Sequence, residues 1–299
     1  MLWSKAIGAG GTLGGVPVLF GPRGVFGGGN RSPKYNTIEY ITIATTGNAL
    51  DFGDLSVNVT DNAATSDGSR GVFGGGDAAD VGLANRMEYI TIATTGNALD
   101  FGDLTSARRS LAATSNGSRG VFGGGTGSTG TTNTIDYITI ATTSNAIDFG
   151  DLTVGRFALA ATSNGIRGVF GGGIGGTNTI DYITIATTSN AIDFGDLTAD
   201  RFGLAAVSDG TRGVFGGGTQ NVIDYITIAT TSNATDFGDL VAGQRYEIAG
   251  ASDGTRGVFA GGNTTSNIID YITIATPSNS VDFGDLTLGR SVTAGTSGG

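Results

Sequence analysis

Arg167-Gly168-Val169-Phe170-Gly171-Gly172-Gly173 opens a segment that continues as Asp181-Tyr182-Ile183-Thr184-Ile185-Ala186 and closes on Asp193-Phe194-Gly195-Asp196-Leu197. The Arg-Gly-Val-Phe start, with Gly/Ala-Gly-Gly behind it, also begins at Arg23, Arg70, Arg119, Arg212 and Arg256. Successive arginines are 47, 49, 48, 45 and 44 residues apart. A fixed period in this range marks a repeat architecture, in which each copy is one supersecondary unit that needs its neighbours to bury its apolar residues.

One unit can be read in full. Residues 157–163 (Phe-Ala-Leu-Ala-Ala-Thr-Ser) predict a strand, a, ended by Asn164-Gly165, a strong two-residue hairpin signal. Residues 167–171 predict strand b, 179–186 strand c, 187–190 a turn and 191–197 strand d. No stretch carries a helical period, so the unit is four short antiparallel strands. Val169 and Phe170 are adjacent and therefore point to opposite faces, as do the apolar residues of strand c. Such a sheet must be covered on both sides, and neighbouring copies can do it. Each buried Val, Ile or Phe contributes about 1.5–3 kcal/mol. Strand a is built of small residues, which suits a crowded inner position in a radial array.

This order of residues resembles a kelch-type β-propeller: Arg156, a small-residue strand, Val169-Phe170-Gly171-Gly172, Asp181-Tyr182, then Phe194 and Leu197. The resemblance covers residues 22–299 and implies an all-β, six-bladed kelch-like β-propeller with four antiparallel strands per blade. Phe194 stands where tryptophan is usual, and the period is shorter than the kelch value of about 50. The ends complement each other. Arg290 to Ser297-Gly298-Gly299 repeats the spacing of Arg201 to Ser208-Asp209-Gly210, so the chain stops after a strand a with no b. The first unit opens at Pro22-Arg23 with a strand b that lacks its a. Pairing of residues 291–296 with 23–27 then closes the ring. Residues 16–20 are also strand-like and compete for that slot. An apolar segment, 1–21, precedes the repeats.

Glycine is 55 of 299 residues, but it recurs at fixed offsets beside Val, Ile, Phe and Tyr, which is the pattern of turns between strands. Net charge is −10, Lys5 and Lys34 are the only lysines, and no basic run exists, so binding along nucleic-acid phosphates is not expected. Eighteen of the 26 acids occupy three repeated positions per unit, such as Asp136, Asp148 and Asp151. The absence of Cys and His removes disulfides, thiol nucleophiles, imidazole bases and the usual zinc and copper sites. Copper-oxidase chemistry on a kelch-like frame is excluded with them. No apolar run reaches the 18 residues of a membrane-spanning helix. Residues 1–20 are too rich in glycine for a good signal peptide and lack a clear cleavage site.

Several motifs favour structure over chemistry. Asp-Phe-Gly occurs in every unit without the loops that accompany it in kinases, and reads as a packing element of strand d. Asp-x-x-Asp pairs such as Asp51/Asp54 offer oxygens to calcium, but ion pairs with the repeated arginines or turn capping account for them more simply. The glycine triplets precede no helix or lysine and are turns, not phosphate loops. Neither a metal nor a cofactor is expected.

Length variation is concentrated in one place. From the strand c acid to the next Arg-Gly-Val-Phe there are 31 residues in four of five cases and 32 in the other. The b–c connections hold 9, 11, 10, 7, 5 and 7 residues between the glycine triplet and the acid. In a propeller the b–c and d–a loops share a face, so one face varies and the other repeats. The candidate binding residues of the variable face are Arg31, Lys34, Tyr35, Asp77, Asp80, Arg86, Asn133, Gln220, Asn221, Gln244, Tyr246 and Asn263. Drift in unconstrained loops explains any one of them equally well. Trp3, Leu13, Val18, Leu19 and Phe20 are candidate anchors, entering near the axis on the repeated face to plug the channel or dock on a partner.

The wording of the repeats also resembles kelch-like proteins of tailed phages of marine bacteria. That resemblance implies a non-enzymatic virion protein of a tail, fibre or capsid surface, with other virion proteins or a host-surface glycan as partners. The alternatives are a bacterial extracellular or cell-surface adhesion propeller and a sialidase-like glycoside hydrolase, which needs an asymmetric central cluster of acids.

Overall fold

The structure, a computed structural model, describes residues 20–30, 33–175, 178–241, 243–263, 266–291 and 293–298. Among them there is no helix; six four-stranded antiparallel sheets repeat one order, d-c-b-a, in a propeller-like organisation. In the fourth sheet the strands are Ala160–Ser163, Arg167–Gly171, Thr179–Thr184 and Ile192–Asp196. Strand b falls where the sequence places it. Strand a begins later than residue 157, because Ala158 adopts a left-handed φ of 55° and Phe157 pairs with Ile174 instead. The same kink recurs at Asp61, Ser110, Gly203 and Glu247, two residues beyond the repeated arginine or its substitute.

The first sheet takes its inner strand from the far end of the chain. Ala294–Gly298 pairs with Arg23–Gly27, from Arg23 opposite Gly298 to Gly27 opposite Ala294. The expected partner segment, 291–296, is therefore corrected to start later. Ser291 lies before the strand and bridges Asn30. The rival segment, 16–19, lies outside the described residues; Phe20 is in no strand.

Six apolar clusters fill the gaps between consecutive sheets. Val169, Ile180, Phe194 and Leu197 of the fourth sheet pack against Phe215, Ile226 and Ile228 of the fifth. The last cluster joins Val258, Ile269, Phe283 and Leu286 of the sixth sheet to Phe26, Ile41 and Ile43 of the first. The adjacent Val and Phe of strand b thus serve two different interfaces. The glycine after that Phe is required by its neighbour: a Cβ on Gly171 would lie 2.7 Å from Phe215 Cε1. The sixth unit alone carries alanine there, Ala260, fully buried against the cluster that holds Phe26.

Asp-Phe-Gly is a bulge in strand d, where the register against strand c slips between Ile180 and Asp181. Gly195 has φ +140°, and a Cβ there would meet the Ser232 carbonyl of the next sheet's c–d turn at 2.5 Å. Gly284 approaches the Gly47 carbonyl of the first sheet in the same way. Other unit-to-unit contacts behave alike. Arg212 Nη1 donates to Ala275 O at 2.7 Å, and Arg256 Nη1 donates to Ala44 O at 2.9 Å. Ser163 Oγ donates to Ser115 O, and Ser66 Oγ donates to Ser297 O in the C-terminal strand, both at 2.6 Å.

Candidate functional site

Beneath the variable loops lies a row of buried ion pairs. Arg108–Asp136 (2.8 Å), Arg156–Asp181 (2.9 Å), Arg201–Asp224 (2.7 Å), Arg245–Asp270 (2.6 Å) and Arg290–Glu39 (3.1 Å) each join a d–a loop to a strand c. The guanidinium groups also donate to backbone carbonyls; Arg156 reaches Thr179 O and Phe170 O. Thr153 completes the cage by donating both its N–H and its hydroxyl to Asp181. These acids, not the Asp-x-x-Asp pairs, hold the repeated d–a arginines. The other repeated arginines, those of Arg-Gly-Val-Phe, lie over tyrosine rings, as Arg167 does over Tyr182 at 4.4 Å. The second acid of each Asp-x-x-Asp pair instead receives a cap on its N–H, from Asn97 Oδ1 at Asp54 (3.0 Å) and from Asn48 Oδ1 at Asp285 (3.1 Å).

The row is broken once. Val59 occupies the arginine position that serves the second sheet, so Glu88 is buried without an ion pair among the described residues. Its carboxylate accepts from Ser56 N at 3.1 Å. A cavity of about 20 Å³ remains beside Val59, Asn62, Gly75, Arg86 and Glu88. That is space for one water molecule. Asn62 lines both this cavity and a larger one on the axis; both of its amide atoms, and Nη1 of Arg86, are buried without a partner among the described residues.

The sequence-chosen residues form local pairs, not one cluster. Lys34 and Arg109 both bind Asp77, at 2.9 and 3.4 Å. Arg86 holds Asp80 at 3.0 Å, and this hydrogen bond pulls the Asp80 carboxyl below its usual range. The Tyr35 backbone brackets its loop, with N–H to Gly29 O and C=O accepting from Val59. Gln220 donates to Asp200 O at 3.4 Å, and Gln244 donates to Thr219 O. Asn263 ties Tyr246 and Gln244 together from a left-handed φ of 47°. Asn133 and Asn221 belong to the framework: all six units carry asparagine there, and their carbonyls accept from Leu152 and Leu240. Arg31 lies outside the described residues, as do Trp3, Leu13, Val18 and Leu19.

A second group of residues surrounds the axis on the same face. Ser110 N donates to Asp61 O, Ala158 N to Ser110 O, Gly203 N to Ala158 O and Glu247 N to Gly203 O, so the left-handed kinks form a hydrogen-bonded collar. Within it is a cup of about 190 Å³, lined by Asp61, Asn62, Phe157, Ile174, Phe202, Leu204, Glu247 and their neighbours. Ser110 Oγ donates to Asp61 Oδ1 at 2.9 Å. Burial pushes the Asp61 carboxyl up, against the hydroxyl of Ser110 and the charge of Arg109. Burial likewise raises Glu247, partly offset by a hydrogen bond from Ser291, and the charge of Asp61 raises it further. The repeat register carried the signal for both. Of the eight acids outside the three repeated positions, Asp61, Asp77, Asp80, Asp200 and Glu247 all lie in b–c or d–a loops.

The opposite end of the axis is uniform. Strand a residues of all six sheets line a cavity of about 120 Å³, and Phe20 joins them with its ring against Gly254 of an a–b turn. No group of three or more acids among the described residues is arranged to hold a metal ion. No protein-family model matches this chain, and comparison with curated proteins finds no match.

Proposed function

We propose that the chain is a six-bladed kelch-like β-propeller, closed between its first and sixth sheets, that acts as a non-enzymatic recognition module. The closure is supported by the pairing of Ala294–Gly298 with Arg23–Gly27 and by the apolar cluster between the sixth and first sheets. One observation carries the recognition reading. Loop-length variation and every non-repeated acid outside the a–b turns fall on one face, while the other face repeats. A rigid frame with variable loops on one side is the arrangement of a binding scaffold. The partners in this reading are a host-surface glycan or another virion protein, and the virion setting follows from the resemblance of the repeats to phage proteins.

A map of the native source particle tests the setting: propellers seated on a tail or capsid with variable loops to solvent are expected, and a free or cell-surface protein refutes it. The recognition face is tested by giving units one to three (residues 30–36, 77–85 and 126–133) the short connection of unit five, residues 219–221. Capture on a glycan array or by virion proteins is expected to disappear with thermal unfolding unchanged; undiminished capture refutes the face. The hydrolase reading draws on a single feature, the raised Asp61 and Glu247 carboxyls in one cup. Turnover of aryl glycosides, lost in Glu247→Gln, would replace recognition with catalysis.

A further inference from the structure

The axial cup is asymmetric in a repeat that is otherwise uniform. The kink position reads Ser110, Ala158 and Gly203 in the third to fifth units but Asp61 and Glu247 in the second and sixth. Those two units flank the first, so both acids enter from one side. Phe157, Ile174 and Phe202, from the fourth and fifth units, form the other.

Among the described residues no lysine or arginine lines the cup. Arg109, whose charge acts on Asp61, is turned to Asp77. Asp61 Oδ1 accepts from Ser110 Oγ and the Ser291 hydroxyl acts on Glu247, which leaves acceptor capacity on both carboxylates among the described residues. Asn62, 8% exposed, lines the cup with its donor and its acceptor both unpartnered among the described residues. A buried polar group without a partner costs stability until a ligand satisfies it.

We propose that this cup binds an organic cation: an ammonium or guanidinium group on a short hydrocarbon stem. The cationic head meets Asp61, Glu247 and the Asn62 carbonyl, and the stem lies against Phe157, Ile174 and Phe202. A neutral sugar would hydrogen-bond to the acids but leave their negative charge uncompensated. A purely apolar ligand would bury that charge. A cation with a hydrocarbon stem answers both halves of the lining. The assignment deepens the recognition reading and rests on it for the cup's place on the recognition face.

The test is calorimetric titration of the intact chain at neutral pH with pentylammonium, pentanol and methyl glucoside. Pentylammonium is expected to bind at least about tenfold more tightly than pentanol, and Asp61→Asn/Glu247→Gln to remove that preference. Both substitutions are isosteric, and thermal unfolding checks the fold. Phe202→Ala, as a second variant, is expected to weaken the amine and pentanol alike. Equal affinity for pentanol, undiminished amine affinity in the double variant, preference for the glucoside, or no binding of any probe each overturns the proposal. N-acetyl-lysine methylamide against the free amine tells a partner's side chain from a small molecule. The loop replacements leave the cup residues in place. In the loop-replaced protein, lost glycan capture with amine binding retained supports both readings, and undiminished capture sinks the recognition face; in the parent, glycan capture without amine binding sinks the cup alone.

Discussion

Replacing Arg290 by methionine tests the closure and the energetics of the frame together. Arg290 and Glu39 are both 0% exposed, and they connect the last d–a loop to the first strand c. Arg290 Nη1 also donates to Gly28 O and Thr37 O, each at 3.0 Å. Without the guanidinium, the Glu39 carboxylate keeps, among the described residues, only Thr287, through its N–H and its hydroxyl; Gly28 O loses the arginine donor, and Thr37 O is left with Gly28 N–H. Removing one partner of such a buried pair costs about 3–5 kcal/mol. Arg156→Met is the internal reference, because Arg156 and Asp181 are equally buried within the body of the chain. In a closed ring the two substitutions are expected to cost the same within about 1 kcal/mol, allowing for context. Urea unfolding followed by far-ultraviolet circular dichroism measures both. A loss below about 1 kcal/mol for Arg290→Met, beside a full loss for Arg156→Met, would refute the closure, since an exposed ion pair is worth about that little.

Three further outcomes follow from the packing and the electrostatics. Gly195→Ala is expected to destabilise by more than about 1 kcal/mol, because φ is positive and a Cβ would press on the Ser232 carbonyl; an unchanged urea midpoint would contradict this. Asp61 and Glu247 bind protons more tightly folded than unfolded, so their contribution to stability is full below the ordinary carboxylate range and is lost as pH rises through their raised values. Asp61→Asn and Glu247→Gln are therefore expected to be more stable than the parent at pH 7 and to lose that advantage below about pH 4, measured by thermal unfolding across pH. Deleting residues 1–21 removes only Phe20 and Gly21 from the described frame, so the remaining chain is expected to fold with its sheet signal intact while assembly on a partner is abolished; retained assembly would end the anchor reading.

Much of the architecture was legible because the repeat is its own alignment. Strand b could be bounded to the residue, since Arg167 opens it and a glycine run ends it. Both faces of strands b and c are apolar, so neighbouring sheets had to cover them, and the clusters do so. The start of strand a was misjudged. Its kink falls on Ser110 and Ala158, which carry no glycine signal; the left-handed turn is held by the collar, a tertiary interaction. The C-terminal strand likewise begins at Ala294 and not at Ser291. Six Asp-x-x-Asp pairs stand beside five d–a arginines, so counting alone could not exclude their pairing. Burial decided it, by placing each of these arginines beside the strand c acid.

The sequence by itself determined the repeat, the strand-turn order, the small inner strand and the face that varies, because local spacing and side-chain size control these. Only the tertiary structure decided where the axial cup lies and what lines it. Asp61 and Glu247 come from units far apart in the chain and line one cup because the kinked d–a loops converge on one axis, and that convergence also half-buries both residues. Val59 made the same distinction: in sequence it is one missing arginine, and in the fold it is a cavity beside a buried acid that has no ion pair among the described residues. Desolvation depends on what surrounds a group in three dimensions, and neighbours along the chain do not report it.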